Sequence, residues 1–277
     1  MTSDLFDITA AAQLPPDLVD ALARSRAERG VFGERVLHVF ETGSTNDLAA
    51  RLAAGGAAEG TTVVAEAQSA GRGRLGRSWF SPPGAGLYAS VVIRPDADGG
   101  RPLLPSLVTL LAGVALVDAV RETSGLLSQI KWPNDVVVGR RKLGGILAEA
   151  SAQGSTLDWV VLGFGINVCE TAYPRDVAVR ATSLEAELGR TVDRAWLLVR
   201  VLVNLAGARD ALRRDQVTGS LDRWLALSPS ARGADVEWRA RDGVRRGRTA
   251  GLDDDGALRV ETGGRIERVI AGEIMWL

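Results

Sequence analysis

The residues best suited to anion chemistry stand in four short segments of this 277-residue chain. The first, Gly71–Trp79, alternates glycine with arginine, so backbone amides can approach an anion while guanidinium groups fork onto phosphate or carboxylate oxygens. It differs from a Walker loop, because no Gly-Lys-Ser/Thr follows the glycines. Taken alone, the segment also fits a solvated or RNA-binding Gly-Arg turn.

The other three segments carry polar groups at strand ends or glycines inside strands. Lys131–Asp135 ends a predicted strand at a proline, so Asn134 and Asp135 are expected at its mouth, unless they form an Asx-type turn and nothing more. Lys142–Leu147 and Gly163–Val168 place glycines within strands, where they usually mark the close approach of another backbone or a ligand. Together the four segments predict one anion-binding cleft.

Lysine usage indicates the same cleft. Of the 33 basic side chains only Lys131 and Lys142 are lysine, which leaves 31 arginines. Arginine is thus strongly preferred over lysine in this chain. A lysine retained against that preference suits a position where a compact ammonium fits and a planar guanidinium does not. Asparagine is also scarce, and Asn46, Asn134 and Asn167 are three of its four occurrences.

Composition and charge exclude several classes of protein. The 34 acidic and 33 basic side chains give a net charge of -1, so no overall field favours nucleic acid or an anionic membrane. Cys169 is the sole cysteine and His38 the sole histidine, which excludes a disulfide, a multi-cysteine metal site and a two-histidine site. No apolar run could span a bilayer and no signal peptide opens the chain, so we expect a soluble cytoplasmic protein.

Hydropathy patterning and turn residues predict the elements that must position these segments. Short strands joined by short turns between residues 130 and 168 favour antiparallel pairing, and long apolar helices are expected at Leu103–Arg121 and Trp196–Leu212. The carboxyl-terminal residues alternate in short strands separated by glycine turns, typical of a small β unit docked on the rest. The predicted divisions are a helical leader at 1–37, a main domain at 38–228 and a β domain at 229–277.

The combination of motifs resembles the biotin protein ligases, in particular those of the actinobacterial type. The resemblance rests on Ser44-Thr45-Asn46, Gln68 and the four segments above, and it runs from about His38 to the carboxyl terminus. It implies an α+β fold with a mixed, largely antiparallel sheet backed by helices, as in class II aminoacyl-tRNA synthetases, and a small C-terminal SH3-like β-barrel. Many bacterial relatives also carry an N-terminal winged-helix repressor domain. The leader here is too short for one, so we expect no nucleic-acid partner.

The implied activity is ligation. Enzymes of this family use biotin and Mg·ATP to form biotinyl-5′-AMP with release of pyrophosphate, and then transfer biotin to one lysine of a carrier domain. The resemblance therefore implies biotin, ATP and Mg²⁺ as ligands. It also implies, as partner, the biotin carboxyl carrier domain of an acetyl-CoA, acyl-CoA or pyruvate carboxylase. We expect no membrane partner, and a monomer or weak dimer.

The resemblance also implies roles for individual residues. The biotin-binding positions are Ser44, Thr45, Asn46, Gln68, Arg72, Gly73, Arg74, Lys142 and Gly145. The nucleotide-binding positions are Arg74, Arg77, Trp79, Lys131, Asn134, Lys142 and Asn167. The catalytic groups are Lys142, Arg72, Arg74 and Asp135, with Asp135 also the candidate metal ligand. The ammonium of Lys142 is expected to neutralise charge as a carboxylate oxygen attacks the α-phosphorus.

Two other interpretations stay open at this point. A lipoate or octanoate ligase or transferase would share the fold and a lysine-centred site, but its acyl pocket must be a long apolar tunnel. Residues 44–46 and Gln68 instead offer polar partners for a ring such as a cyclic urea. A non-catalytic nucleotide-binding regulator or nucleic-acid-binding module would use the Gly71–Trp79 segment, called the Gly-Arg loop below. The near-zero net charge disfavours this interpretation.

Overall fold

The computed structural model of the chain describes residues 12–96, 103–154, 156–170, 173–240, 243–270 and 272–277. Within them, the strands of the larger sheet are β1 (Val36–Thr42), β2 (Thr62–Gln68), β3 (Gly86–Ile93), β4 (Gln129–Lys131), β5 (Asp135–Val138), β6 (Arg141–Gln153) and β7 (Thr156–Asn167). Their order is β1-β2-β3-β7-β6-β5-β4. β1 and β2 pair in parallel, and every other neighbouring pair is antiparallel. The prediction of a mixed, largely antiparallel sheet is confirmed.

The α-helices of the described residues pack around this sheet. They are α1 (Pro16–Arg24), α2 (Arg26–Arg29), α3 (Thr45–Ala54), α4 (Pro105–Ser124), α5 (Arg175–Ala178), α6 (Leu184–Leu188), α7 (Arg194–Arg213) and α8 (Val217–Leu227). α3 connects β1 to β2, and a parallel pair requires such a crossover. α4 is apolar on nearly every side and lies buried in the core, where α7 and α8 pack against it. The long helices expected near residues 103–121 and 196–212 are therefore α4 and α7.

Alternation along the central strands gives the larger sheet two different faces. Leu162, Phe164 and Ile166 of β7 point into the core that contains α4. Gly163 and Gly165, which stand between them, belong to the opposite face. α3 covers one end of that opposite face through a small apolar cluster of its own. The remainder of the face is free to form a cavity.

The second sheet is smaller and entirely antiparallel. Its strands are β8 (Arg232–Ala240), β9 (Gly243–Leu252), β10 (Leu258–Thr262), β11 (Arg265–Val269) and β12 (Ile274–Trp276), in the order β11-β10-β9-β8-β12. Trp238, Leu258 and Ile274 are buried in the same continuous core as α4. The indole Nε1 of Trp132, itself in that core, donates to Gly256 O at 3.1 Å. The C-terminal β unit is therefore docked on the main sheet.

The predicted helical leader is described from residue 12 onward; residues 1–11 lie outside the described residues. It contains α1 and α2, and Leu18 and Leu22 of α1 are buried in the core. The division of the chain at 37/38 and 228/229 stays a prediction. None of the helices in the described ranges is both long enough and apolar enough to cross a membrane.

Candidate active site

One cavity on the glycine-bearing face of the larger sheet collects nearly all of the residues to which the sequence assigned a role. Ser44 and Thr45 stand at the beginning of α3 and Gln68 at the end of β2, so element ends supply the polar groups on one side. The cavity is lined by Ser44, Thr45, Asn46, Gln68, Arg72, Gly73, Arg74, Arg77, Trp79, Lys131, Asn134, Asp135, Lys142 and Gly145. The structure therefore brings the predicted residues together.

Asn167 differs from the other predicted residues. It ends β7, is 7% exposed, and its Nδ2 donates to Thr182 O at 2.9 Å. It lines a second cavity, which shares Trp79, Lys131 and Lys142 with the first. Its contact with a nucleotide stays a prediction.

Glycines keep the floor of the first cavity clear for other side chains. A Cβ atom on Gly163 would lie 1.9 Å from Asn46 Oδ1, and one on Gly165 would lie 2.5 Å from Trp79 Nε1. The sequence predicted the close approach of a backbone or a ligand at these glycines. An amide and an indole approach them instead, so the glycines position the walls of the cavity.

A bulge in β6 turns Lys142 onto the cavity face. The β5–β6 ladder pairs Gly144 with Val136 and then skips Leu143, so that Lys142 pairs with Val137. Since side chains alternate between the faces of a sheet, one extra residue reverses the face of the residue before it. Without the bulge, Lys142 would point away from the cavity.

The ammonium of Lys142 is held between a carboxylate, an indole and a glycine. Its Nζ lies 2.7 Å from Asp135 Oδ1 and 5.2 Å from the centroid of the Trp79 ring. A Cβ atom on Gly145 would lie 3.3 Å from the same Nζ. The space around this ammonium is therefore narrow on the protein side and open on the cavity side.

Two more cations face the cavity, and burial weakens the hydration of both. Burial lowers the pKa of Lys131, whose Nζ lies 5.0 Å from the centroid of the Trp276 ring in β12. Burial also lowers the pKa of Arg74, whose Nη1 donates to Asn134 Oδ1 at 3.3 Å. The carboxylate of Asp135 offsets these effects only in part. Glu273 acts in the same direction as Asp135, and the lining of the first cavity still has five basic side chains against these two carboxylates, so an anionic ligand such as a phosphate would balance its charge.

Buried polar side chains at the other end of the cavity form a continuous hydrogen-bonded chain. Gln68 Oε1 accepts from Thr45 N at 2.9 Å, and Gln68 Nε2 donates to Ser81 Oγ at 2.8 Å. Ser90 Oγ lies 2.8 Å from Thr45 Oγ1 and 2.6 Å from Asn46 Oδ1. Ser90 is fully buried in β3 and was not predicted as a site residue. A lone serine within an apolar strand is the signal that could have identified it.

The chain of hydrogen bonds continues to Glu149, a second residue that the sequence analysis missed. Glu149 Oε2 accepts from Asn46 Nδ2 at 2.7 Å and from Arg72 Nη2 at 2.6 Å. Arg72 Nη2 also lies 2.7 Å from Asp47 Oδ1. The guanidinium of Arg72 is thus paired with two carboxylates, and its contact with a substrate anion stays a prediction. A carboxylate within one of the short strands predicted between residues 130 and 168 was the available signal.

The Gly-Arg loop is closed by a hydrogen bond at its base and makes one exposed ion pair at its far side. Trp79 N donates to Gly71 O at 2.8 Å, which closes the base. Arg77 forms a two-point ion pair with Glu273, which precedes β12, with Nη1 and Oε1 2.8 Å apart. The hydrogen bond from Arg77 holds the pKa of the Glu273 carboxyl below its usual range. The C-terminal β unit therefore contributes directly to one wall of the cavity.

The only histidine of the chain lies away from both cavities. His38 Nε2 lies 3.0 Å from Glu66 Oε1, and Glu66 Oε2 accepts from Arg194 Nη1 at 2.8 Å. Burial alone would raise the pKa of Glu66, but the hydrogen bonds from His38 and Arg194 outweigh it and hold that pKa below its usual range. Glu66 of β2 therefore links His38 of β1 to the start of α7.

Comparisons with known proteins relate this chain and its fold to biotin enzymes. Residues 41–167 match the Biotin/lipoate A/B protein ligase family, and residues 235–275 match the Biotin protein ligase C terminal domain. The Bifunctional ligase/repressor BirA of Bacillus subtilis is 35% identical over 94% of this chain and 79% of its own length. The Biotin--[acetyl-CoA-carboxylase] ligase of Mycobacterium tuberculosis is 35% identical over 98% of this chain and 100% of its own length. The structure of a biotin protein ligase from Aquifex aeolicus in complex with biotin and ATP superposes with a TM-score of 0.75 at 28% identity, covering 88% of this chain and 99% of that chain.

Proposed function

This chain belongs to the biotin protein ligase family, and from that membership we propose that it activates biotin with ATP and transfers it to a carboxylase carrier domain. One observation carries the proposal. A single cavity joins a buried polar end, built around Thr45 and Gln68, to a cationic end built around Lys142. A ligand with a polar ring and a carboxylate tail, next to a triphosphate, matches that division.

In the first step, a carboxylate oxygen of biotin forms a bond to the α-phosphorus of ATP, and the bond from that phosphorus to the β-phosphate oxygen breaks. The products are biotinyl-5′-AMP and pyrophosphate. The ammonium of Lys142 is proposed to lie between the two anions and to reduce their repulsion as charge develops. Arg74 and Lys131, both deprived of hydration by burial, are proposed to hold the phosphates.

In the second step, the amine of the carrier lysine attacks the acyl carbon of biotinyl-5′-AMP and the bond to AMP breaks. The amine loses a proton, and Asp135 is the proposed acceptor because its carboxylate lines the cavity beside Lys142. The carrier is proposed to be the biotin carboxyl carrier domain of an acetyl-CoA, acyl-CoA or pyruvate carboxylase.

A magnesium ion fits this site only as a companion of the nucleotide. The described residues hold no group of three or more His, Cys, Asp and Glu side chains that could cage a metal. Mg²⁺ commonly uses one or two carboxylates together with phosphate oxygens, and Asp135 could be that carboxylate. Bound there, the ion would neutralise phosphate charge.

The remaining site assignments belong to the proposal. The biotin site would comprise Ser44, Thr45, Asn46, Gln68, Arg72, Gly73, Arg74, Lys142 and Gly145. The nucleotide site would comprise Arg74, Arg77, Trp79, Lys131, Asn134, Lys142 and Asn167. All of these except Asn167 line the first cavity, and Asn167 lines the adjoining one, which supports a shared site.

The finer structural and cellular assignments are proposed on the same basis. The main sheet is proposed to be of the class II aminoacyl-tRNA synthetase type and the C-terminal sheet an SH3-like barrel, with domain limits at 37/38 and 228/229. A monomer or weak dimer is proposed. A cytoplasmic location is proposed because ATP is a substrate.

Pyrophosphate exchange into ATP tests the proposal against a lipoate or octanoate ligase of the same fold. We expect exchange that depends on biotin, because the polar end of the cavity is lined with hydrogen-bonding groups. Labelling of one lysine on a biotin carboxyl carrier domain should follow. Lipoate and octanoate serve as matched acids with apolar heads. Exchange with either of them but none with biotin would replace the proposed function by the alternative.

Ligands should protect the Gly-Arg loop from trypsin. The side chain of Arg77 is 61% exposed, and the loop has few apolar contacts of its own, so we expect it to open when the cavity is empty. Biotin and ATP together should slow cleavage after Arg72, Arg74 and Arg77, because adenylate would bridge the loop to the cavity floor. Peptide mapping of a timed digest measures the effect. Equal cleavage with and without ligands would show that the loop does not close on the adenylate.

A further inference from the structure

We propose that Glu149 is a positioning residue that determines which atoms of the polar end donate and which accept hydrogen bonds. It does so through Asn46 and Ser90, and the result is a pocket that requires N–H donors on its ligand. This inference rests on the proposed function, because the cyclic urea of biotin is the ligand group that offers such donors.

The orientation of the Asn46 amide is the first step. Its Nδ2 lies 2.7 Å from Glu149 Oε2 and 3.2 Å from Leu147 O, and both of these atoms can only accept. The amide nitrogen must therefore face Glu149, and Oδ1 must face Ser90. A Cβ on Gly163 would occupy the space that Oδ1 fills, so this glycine permits the arrangement.

The hydrogen of Ser90 follows from that orientation. Asn46 Oδ1, 2.6 Å from Ser90 Oγ, cannot donate, so the single hydroxyl hydrogen of Ser90 must point to it. The 2.8 Å contact between Ser90 Oγ and Thr45 Oγ1 then requires the hydrogen of Thr45. Since Ser90 is fully buried, no bulk solvent is available to supply another partner.

The atoms that the polar end of the cavity offers to a ligand are therefore hydrogen-bond acceptors. Thr45 Oγ1 has given its hydrogen to Ser90, and Gln68 Oε1 already accepts from Thr45 N, so both oxygens present lone pairs to a ligand. Thr45 Oγ1 is also within hydrogen-bond distance of Gln68 Oε1, at 3.2 Å, but its one hydrogen is taken by the shorter contact with Ser90, so these two oxygens face each other without a hydrogen and repel. A ligand N–H placed beside them would relieve this repulsion. The N–H groups of a cyclic urea can do so, and the dithiolane of lipoate cannot.

Glu149 also pairs with Arg72, so its two effects must be separated. Asp47 provides the control, because its carboxylate contacts the same Arg72 Nη2 at 2.7 Å and makes no contact with Asn46 among the described hydrogen bonds. Asp47→Asn therefore weakens only the ion pairing of Arg72 in the Gly-Arg loop. Glu149→Ala weakens that ion pairing and also the hydrogen bonds that run through Asn46 and Ser90.

Steady-state pyrophosphate exchange and a urea unfolding curve on each variant provide the test. Glu149→Ala and Ser90→Ala should each raise the KM for biotin by about 10- to 100-fold, the cost of one buried hydrogen bond left unmade, and change the KM for ATP by less than about twofold. Glu149→Gln should restore much of the loss, since its Oε1 can still accept from Asn46. The double variant should be little worse than Glu149→Ala alone, because both changes break one chain.

Asp47→Asn should leave the KM for biotin within about threefold of the wild type, as expected for a half-exposed ion pair. A loss equal to that of Glu149→Ala would mean that Glu149 acts through Arg72, and it would overturn this inference alone. An equal rise in both KM values for Glu149→Ala would do the same. Wild-type protein without biotin-dependent exchange would overturn the proposed function, and this inference with it.

Discussion

Lys142→Arg should fold like the wild type and lose adenylation by about 10²–10³ in rate, the loss typical of removing one preorganised transition-state donor. The ammonium stands against Gly145 and the Trp79 ring, 2.7 Å from Asp135 Oδ1, and this space suits a point charge. A guanidinium keeps the charge but is wider, planar and directional. It cannot place one donor cluster between a carboxylate and an α-phosphate without displacing substrate. Biotin-dependent pyrophosphate exchange measures the loss.

Two matched variants show whether the loss is specific to the ammonium group at position 142. Lys142→Ala should lose at least as much, because charge and donor are both removed. Lys131→Arg should be milder, since the Lys131 ammonium faces the Trp276 ring and is proposed to attract phosphate rather than to bridge the reacting groups. Near-normal exchange by Lys142→Arg would show that the retention of lysine at this position has no chemical cause.

Gly163→Ala should abolish tight biotin binding, with an expected affinity loss of about 100-fold or more and a lower stability of about 1–3 kcal/mol. Its Cβ would lie 1.9 Å from Asn46 Oδ1, so the amide would have to leave its place, and the open space beside it is the cavity in which biotin is proposed to bind. Displacement of Asn46 breaks its contacts with Ser90 and Glu149 together. Calorimetric titration with biotin and urea unfolding measure the two losses.

Gly207→Ala is the control for this substitution. Gly207 lies exposed in α7, and apart from its chain neighbours and the adjacent helix backbone no atom lies within 4 Å of the position that a Cβ would take. Alanine there should raise the free energy of unfolding by about 0.5–1 kcal/mol and leave biotin binding unchanged. Tight biotin binding by Gly163→Ala would show that Asn46 can move without cost to the polar end of the cavity.

The sequence could predict the chemical groups of the cavity because they occur in contiguous segments. A glycine-rich arginine loop, a lysine before a Pro-Asn-Asp turn and glycines inside strands are all visible locally. The scarcity of lysine was informative for the same reason, since Lys131 and Lys142 both line the first cavity. Residue types and their order along the chain are sufficient for such inferences.

The residues that hold these groups in place could not be predicted in this way. Asn46 and Glu149 are 103 positions apart, and Ser90 and Asn46 are 44 apart, so only the strand order β3-β7-β6 brings them together. The bulge at Leu143 is equally invisible, because it depends on how β5 pairs with β6. Contacts between distant segments follow from sheet topology, which a local pattern does not contain.

α8 and β12, two of the elements that were not predicted, were missed for a different reason. α8 carries Val217, Leu221 and Trp224 at helical spacing, but Gly219 and the lack of a side-chain cap weaken the pattern at its start. β12 spans only Ile274–Trp276, too short for alternation to be recognised, and its pairing with β8 fixes it in place. Both elements owe their structure to packing rather than to local propensity.

Because the base of the Gly-Arg loop is closed, the length of the loop can change without altering the rest of the fold. Trp79 N donates to Gly71 O, and Arg72 and Ser78 form an isolated β-bridge, so the chain leaves and returns at one fixed separation. Lengthening a loop with fixed ends costs conformational entropy only slowly, about 0.6 kcal/mol for each doubling. Insertions at the exposed tip around Leu75 are therefore tolerable for folding, and the length of the loop can change without moving the hydrogen-bonded side chains beneath it.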